Sequence, residues 1–488
     1  MLDASGAPAA VEALLPKSVR PRQLCARTLL LGFMLALAQG RPAHLTRALA
    51  ALSGLGPEDR ARLGVVASWR VGPHALSYRQ VEHTARALSR ALAKDRPDGE
   101  PSGALQDLVA ALLGASVPGW VAELSSSLAV DWTDLESFAR PPLYDGGPCA
   151  GPEASWGHRR GDGPGQKDEL FWGFYLSAAT MVAEEAGPAV PEVVRGAKLS
   201  SCHIDPVPAM VPVIEDLVAS GTPVGDVLAD SGYAHRVAPN WALPLRALGA
   251  KLVTDLHPND RGPRGTFGGA TCANGNLYCP ATPVALLGLG PLGRGANAEQ
   301  VAAHDKKTAE AARYKLSRVS ADDADGYHRV SCPAVMGKLR CPARPASMAL
   351  SHERPTVLAP PEHRPTCCAQ QTLTVPASVN AKTAQKHDYP SAAWRRSYAR
   401  RTAVERSYST IKDPASNDIS RGWCRLMGLS ATTVFVACCL VVRNLRVLDA
   451  FEARAADEAA RKAAGLTPRR RRRRRKTLGE LASAATPP

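Results

Sequence analysis

Apolar and polar positions recur at helical spacing through the first quarter of the chain. Leu29–Ala38, His44–Leu55, Tyr78–Ala93 and Leu105–Leu113 carry Ala, Leu and Arg in this rhythm, separated by Gly and Pro clusters. They predict a helical region over residues 1–125. The texture changes at Leu128. Leu128–Thr133 reads as an apolar strand ending in acidic and hydroxyl residues, and Leu170–Met181 as a long central strand with one Gly. Lys198–Ile204 predicts a third strand and Val207–Ala219 a helix. Val227–Asp230 predicts a short buried strand, Trp241–Leu248 a helix and Lys251–Leu256 another strand. The order β-β-β-α-β-α-β predicts the α/β class, with a mixed sheet flanked by helices.

Residues 257–395 break this order. Gly, Pro and polar residues are dense, and the apolar runs are short (LYCP, YHRVSCPA, LTVPAS). So long a loop without structure of its own is implausible, which predicts a β-rich insertion. Helical sequence returns at Ser391–Lys412 and Ala431–Ala455. The chain thus divides into a helical region (1–125), a core (126–256 and 396–450), the insertion (257–395) and a tail (451–488). The tail contains Arg469–Arg475 and Lys476, a run of cations that repel one another and predict disorder.

Composition narrows the classes. With 45% hydrophobic and 22% charged residues, the chain is globular rather than disordered or fibrous. A net charge of +15 favours a polyanionic partner, foremost nucleic acid. Arg20, Arg22, Arg27, Arg41, Arg47, Arg60, Arg62 and Arg70 stud the helical region. They fit a DNA-holding module or a solvated surface equally well. Twelve cysteines are too sparse for a disulfide scaffold, and the adjacent pairs Cys367-Cys368 and Cys438-Cys439 oppose regular bridging. Reduced thiols and a cytoplasmic location follow. Six cysteines fall in the insertion: Cys272, Cys279, Cys332, Cys341, Cys367 and Cys368. Their spacing is poor for a zinc knuckle, so buried thiols are favoured over structural zinc. Leu29–Ala38 imitates a signal peptide and Ala431–Val442 a membrane span. Both are too short, and both read as buried helices, with no membrane partner.

Three acids stand out by context. Asp131 and Asp230 each end an apolar strand, with Asp134 and Glu136 as alternatives to Asp131. Glu405 shares a predicted helix with Tyr398, Arg401 and Lys412. At about 100° per residue these four fall within an arc about 60° wide. A face with a tyrosine, two cations and a carboxylate is not a core stripe. It can hold a phosphate and a divalent ion side by side.

The spacing Tyr398, Arg401, Glu405, Lys412 resembles the Y-x2-R-x3-E-x6-K signature of cut-and-paste DDE transposases of bacterial insertion sequences. Asp131-Trp132-Thr133 is similar to the family's D-x-T, and Asp230-Ser231-Gly232-Tyr233 to its D-x-G-[YF]. Lys167–Tyr175, with Trp172-Gly173-Phe174, resembles the strand after the first acid. The resemblance covers about residues 125–450. It implies a ribonuclease-H-like core in which Asp131, Asp230 and Glu405 are catalytic and hold two divalent ions, Mg²⁺ or Mn²⁺. Two such ions stabilise the attacking and leaving oxygens of phosphodiester transfer. It further implies that Tyr398, Arg401 and Lys412 grip DNA phosphates. The partners implied are double-stranded DNA, as inverted terminal repeats and target, and a second copy of the chain on that DNA. The location implied is the bacterial nucleoid. His235 and Arg236 are further candidate DNA contacts, and Trp423 is a stacking or core residue. A decayed, DNA-binding relic and a nuclease that does not join strands are the alternatives.

Overall fold

The computed structural model describes residues 1–16, 24–42, 44–65, 76–144, 146–159, 167–293, 295–414 and 417–467. Arg20, Arg22, Arg70 and the run Arg469–Lys476 lie outside the described residues.

A six-stranded mixed sheet organises the chain. Its strands are β1 (Leu128–Glu136), β2 (Ser155–Arg159), β3 (Glu169–Met181), β4 (Val194–Ser201), β5 (Asp226–Ala229) and β6 (Lys251–Thr254). β1 pairs antiparallel with β3, from Leu128↔Met181 to Glu136↔Gly173. The far edge of β3 carries β2 along its first residues and β4 along the rest, both antiparallel. On the other side β5 runs parallel to β1, and β6 parallel to β5. The sequence reading lacked β2, whose SWGHR run has little apolar signal.

Side chains alternate across the sheet with the period of two that a strand imposes. Leu128, Val130, Val227, Ala229 and Leu252 pack under the Pro206–Ala219 helix, against Val207, Met210 and Ile214. Ala129, Leu228 and Val253 face the opposite layer. That layer holds the Ala26–Ala38, Gly103–Ala115 and Thr402–Ile411 helices and the Leu429–Ala463 helix. Leu29, Leu30, Phe33 and Leu37 join Leu105, Leu199, Phe435 and Leu440 in one cluster. The two short apolar runs are therefore buried helices, as their length predicts. The boundary at residue 125 marks a change of secondary structure, and the core continues across it. Asn444, fully buried, fastens the layers together. Its side chain accepts from Val194 N (2.8 Å) and donates to Val194 O (2.8 Å) and Ser116 Oγ (2.9 Å).

Gly173 has a close-approach role. A Cβ there would stand 2.1 Å from the carbonyl oxygen of Leu135 on β1.

Three expectations change. The helix expected over Ser391–Lys412 is broken into Ala392–Tyr398, a 3-10 turn at Ala399–Arg401 and Thr402–Ile411, so Lys412 lies just past its end. Residues 451–463, expected to belong to the tail, continue the last helix, which runs on to Ala463 with an exposed, charged end. The insertion holds two three-stranded sheets, β7–β9 (Pro263–Phe267, Ala270–Ala273, Asn276–Tyr278) and β10–β12 (Ser317–Arg318, His328–Ser331, Thr372–Val375). It also holds a helix, Ala298–Tyr314, that the β-rich reading missed. Its signal was present: Asn297 and Gln300 form a reciprocal capping box. Among the described residues no helix is long and apolar enough to cross a membrane.

Candidate active site

Asp131 lies midway along β1, where the strand leaves its fully buried start. Asp230 follows β5, the parallel neighbour of β1, and Glu405 sits in the first turn of the Thr402–Ile411 helix. Long sequence gaps separate the three, and the sheet closes them. Arg401 marks the meeting point. One of its terminal nitrogens lies 2.6 Å from Asp131 Oδ2 and 3.8 Å from Asp230 Oδ2, and the other 2.7 Å from Glu405 Oε1. The acids differ in access: the Asp131 side chain is 14% exposed and that of Glu405 47%. Burial pushes the Asp131 carboxyl up to about 7 against the pull of Arg401, and the charges of Asp230 and Glu405 add to the rise.

Asp230 does two jobs. Its Oδ1 accepts from Gly232 N (2.9 Å) and Tyr233 N (3.3 Å), capping the Ser231–Ala234 turn, while Oδ2 faces Arg401. The glycine of this Asp-Ser-Gly-Tyr run has a packing reason. A Cβ at Gly232 would stand 2.7 Å from the Trp132 ring. Tyr233, fully buried, packs between Trp132 and Trp241 at centroid distances of 5.0 and 4.6 Å. Tyr408, which sequence reasoning missed, supports the first acid from beneath. Its hydroxyl donates to the Asp131 carbonyl oxygen at 2.6 Å and lies 3.2 Å from that of Leu176. A tyrosine three residues after Glu405 carries no distinguishing pattern of its own.

The other expected residues divide. Tyr398 stacks on Trp394 at 4.9 Å, and burial raises its phenol beside Arg401, Asp255, Asp230 and Asp131. It belongs to the cluster. Lys412 does not reach the three acids: its Nζ bonds Asp134 Oδ1 at 3.0 Å, and Arg159 holds Asp134 Oδ2 at 2.6 Å. Burial alone would raise the Asp134 carboxyl, but these two cations hold it below its ordinary range. Of the alternatives on β1, Asp131 therefore meets Asp230 and Glu405, while Asp134 sits with cations further along the strand. Arg236 pairs with Asp205, which caps the Pro206–Ala219 helix, at 2.6 Å. His235 stacks on His257 (4.0 Å) and lies 3.2 Å from Asp260 Oδ2. Trp423 is half-buried.

Three carboxylates suit a hard divalent cation, which takes oxygen ligands and keeps some water. Here Arg401 stands between the three acids, and their oxygens do not all lie within 4.8 Å of one another. A guanidinium is already accommodated among the three acids, so their meeting point accepts positive charge. A different group, His235, His257 and Asp260, is the one among the described residues whose ligand atoms all lie within 4.8 Å of one another. Its carboxylate is already held by Lys382, 2.7 Å from Asp260 Oδ2. No family model matches the chain, and no curated protein matches it.

Proposed function

We propose that this chain is a DNA transposase of the DDE type, cleaving and joining strands at the ends of an insertion sequence. The observation that carries the reading is the meeting of Asp131, Asp230 and Glu405 around Arg401, from β1, the end of β5 and a helix far along the chain. The sheet supports it. Antiparallel strands on one side of β1 and two strands parallel to it on the other, with β2 and β4 both on the far edge of β3, are compatible with a ribonuclease-H-like core. The net charge of +15 suits a DNA partner.

In this reading Asp131, Asp230 and Glu405 hold divalent ions, Mg²⁺ or Mn²⁺. Bound there, such ions would stabilise charge on the attacking and leaving oxygens. Arg401 and Tyr398 stand where a backbone phosphate approaches the acids. Lys412 stands on Asp134, three residues or about 10 Å along β1, and meets the neighbouring stretch of backbone. Water opens the strand, and the freed 3′-hydroxyl attacks the target. A homodimer on paired element ends completes the proposal.

Purified protein and end DNA test it. Asp230→Asn and Glu405→Ala should lose Mg²⁺- or Mn²⁺-dependent cleavage while keeping DNA binding. Arg401→Ala and Lys412→Ala should weaken binding and each lower the salt-dependence slope by about one. Normal cleavage by Glu405→Ala would sink the assignment. Cleavage without joining would make the chain a nuclease, and binding without cleavage a relic.

A further inference from the structure

The insertion's cysteines converge although their sequence spacing is irregular. Backbone pairing does this. Tyr278, at the end of β9, bridges Lys315, and Cys279 N donates to Tyr314 O at 2.9 Å. Lys315 leads into β10, whose Ser317 pairs with Ser331 on β11, and Cys332 follows directly. Ser331 also pairs with Thr372 at the start of β12, and Cys367-Cys368 lie on the short turn before that strand. Cys279, Cys332 and Cys368 are thus delivered to one end of one sheet. Cys341 is brought in from the side. It packs in a common cluster with Cys279 and Cys332, and the Arg344 side chain of its turn bonds the carbonyl oxygen of Gln370, two residues past Cys368. All four thiols are buried. Cys279 and Cys341 each interact electrostatically with the other and with Cys332 and Cys368.

We propose that Cys279, Cys332, Cys341 and Cys368 form a tetrathiolate site for one structural zinc ion that clamps the insertion. The lobe has a physical need for it. Its sheets are short and its core is split into two small clusters, one holding three of the cysteines and the other Cys368. Small cores of this kind gain stability from a metal. Cys368, rather than its neighbour, is the fourth ligand. Cys367 Sγ lies 3.9 Å from Cys368 Sγ, and it is Cys368 that interacts with both Cys279 and Cys341. Four Zn–S bonds form, and the thiol protons pass to solvent. The four sulfurs stand wider than the spacing of the His235 group. Bonds of about 2.3 Å therefore draw the three Cys-Pro turns and the Cys368 turn together.

The test uses the full chain, expressed with zinc and dialysed. About one zinc per chain should remain, and Co²⁺ replacement should give a thiolate charge-transfer band with intense d–d bands of tetrahedral cobalt. Cys279→Ser, Cys332→Ser, Cys341→Ser and Cys368→Ser should each lose the tightly held ion. Cys272→Ser and His235→Ala with His257→Ala should keep it. Metal-free wild-type protein without a cobalt–thiolate band would overturn the proposal, whether or not the variants fold. Loss of zinc from the histidine variant alone, or its retention by Cys368→Ser, would overturn it too.

Discussion

Glu185 shows how a single residue ties the loop after β3 to the segment before Glu405. Its Oε1 takes Ser397 Oγ and His387 Nε2 at 2.6 Å and Lys386 Nζ at 3.0 Å. Burial alone would raise this carboxyl; the hydrogen bonds outweigh it and hold the group down at about 2 instead of 4.5. A lowered carboxyl contributes stability above its unfolded value and loses it as pH falls through the folded one. The window therefore runs from 4.5 down to about 2. Thermal melts across that window should fall more steeply for the wild type than for Glu185→Gln. Parallel curves would remove Glu185 from the acid response. Tyr408 makes a second prediction at this scale. Tyr408→Phe removes the hydroxyl's hydrogen bond to the Asp131 carbonyl oxygen, at a cost of about 0.5–1.5 kcal/mol in urea unfolding. An unchanged midpoint would mean that water or backbone adjustment replaces the hydroxyl.

Among the elements, the Leu429–Ala463 helix does most to hold the layers in place. Its first half is apolar all round because it lies between the N-terminal helices and the sheet, and its second half is charged because it leaves them. Asn444 is the polar exception in the buried half, and it satisfies both backbone groups of Val194 on the edge strand β4. Asn444→Leu keeps the branching at Cγ but orphans a buried N–H and C=O. A loss of about 3 kcal/mol is expected from chemical denaturation. A neutral result would show that β4 opens to solvent there. The helix break at Ala399–Arg401 has its own consequence. It turns Arg401 into the acids and lets Lys412 follow the strand to Asp134, so four residues that share a face in an unbroken helix serve two places.

At the scale of the whole molecule, one core joins residues on both sides of position 125. Deleting residues 1–125 would expose Leu199, Phe435 and Leu440, which pack with Leu29, Phe33 and Leu105. The shortened chain should aggregate or melt without cooperativity. A soluble, monomeric product with a sharp transition would demonstrate an independent folding unit.

The pattern of the chain alone determined most elements of the core, because strand and helix periods are local properties. Leu170–Met181, Val207–Ala219 and the buried run at Ala431–Val442 were legible within a few residues. The three acids were legible through the spacing of Tyr398, Arg401, Glu405 and Lys412 and through two short motifs. Where those motifs came from a physical requirement, such as the missing Cβ at Gly232 against Trp132, the sequence carried it directly. Tertiary structure decided the rest. Asp131 and Asp134 differ only in where β1 lies against the Thr402–Ile411 helix, which no local pattern encodes. The insertion cysteines looked irregular because strand pairing, not chain distance, brings them together. Partners that lie far apart along the chain meet through register and packing, and those are properties of the assembled sheet.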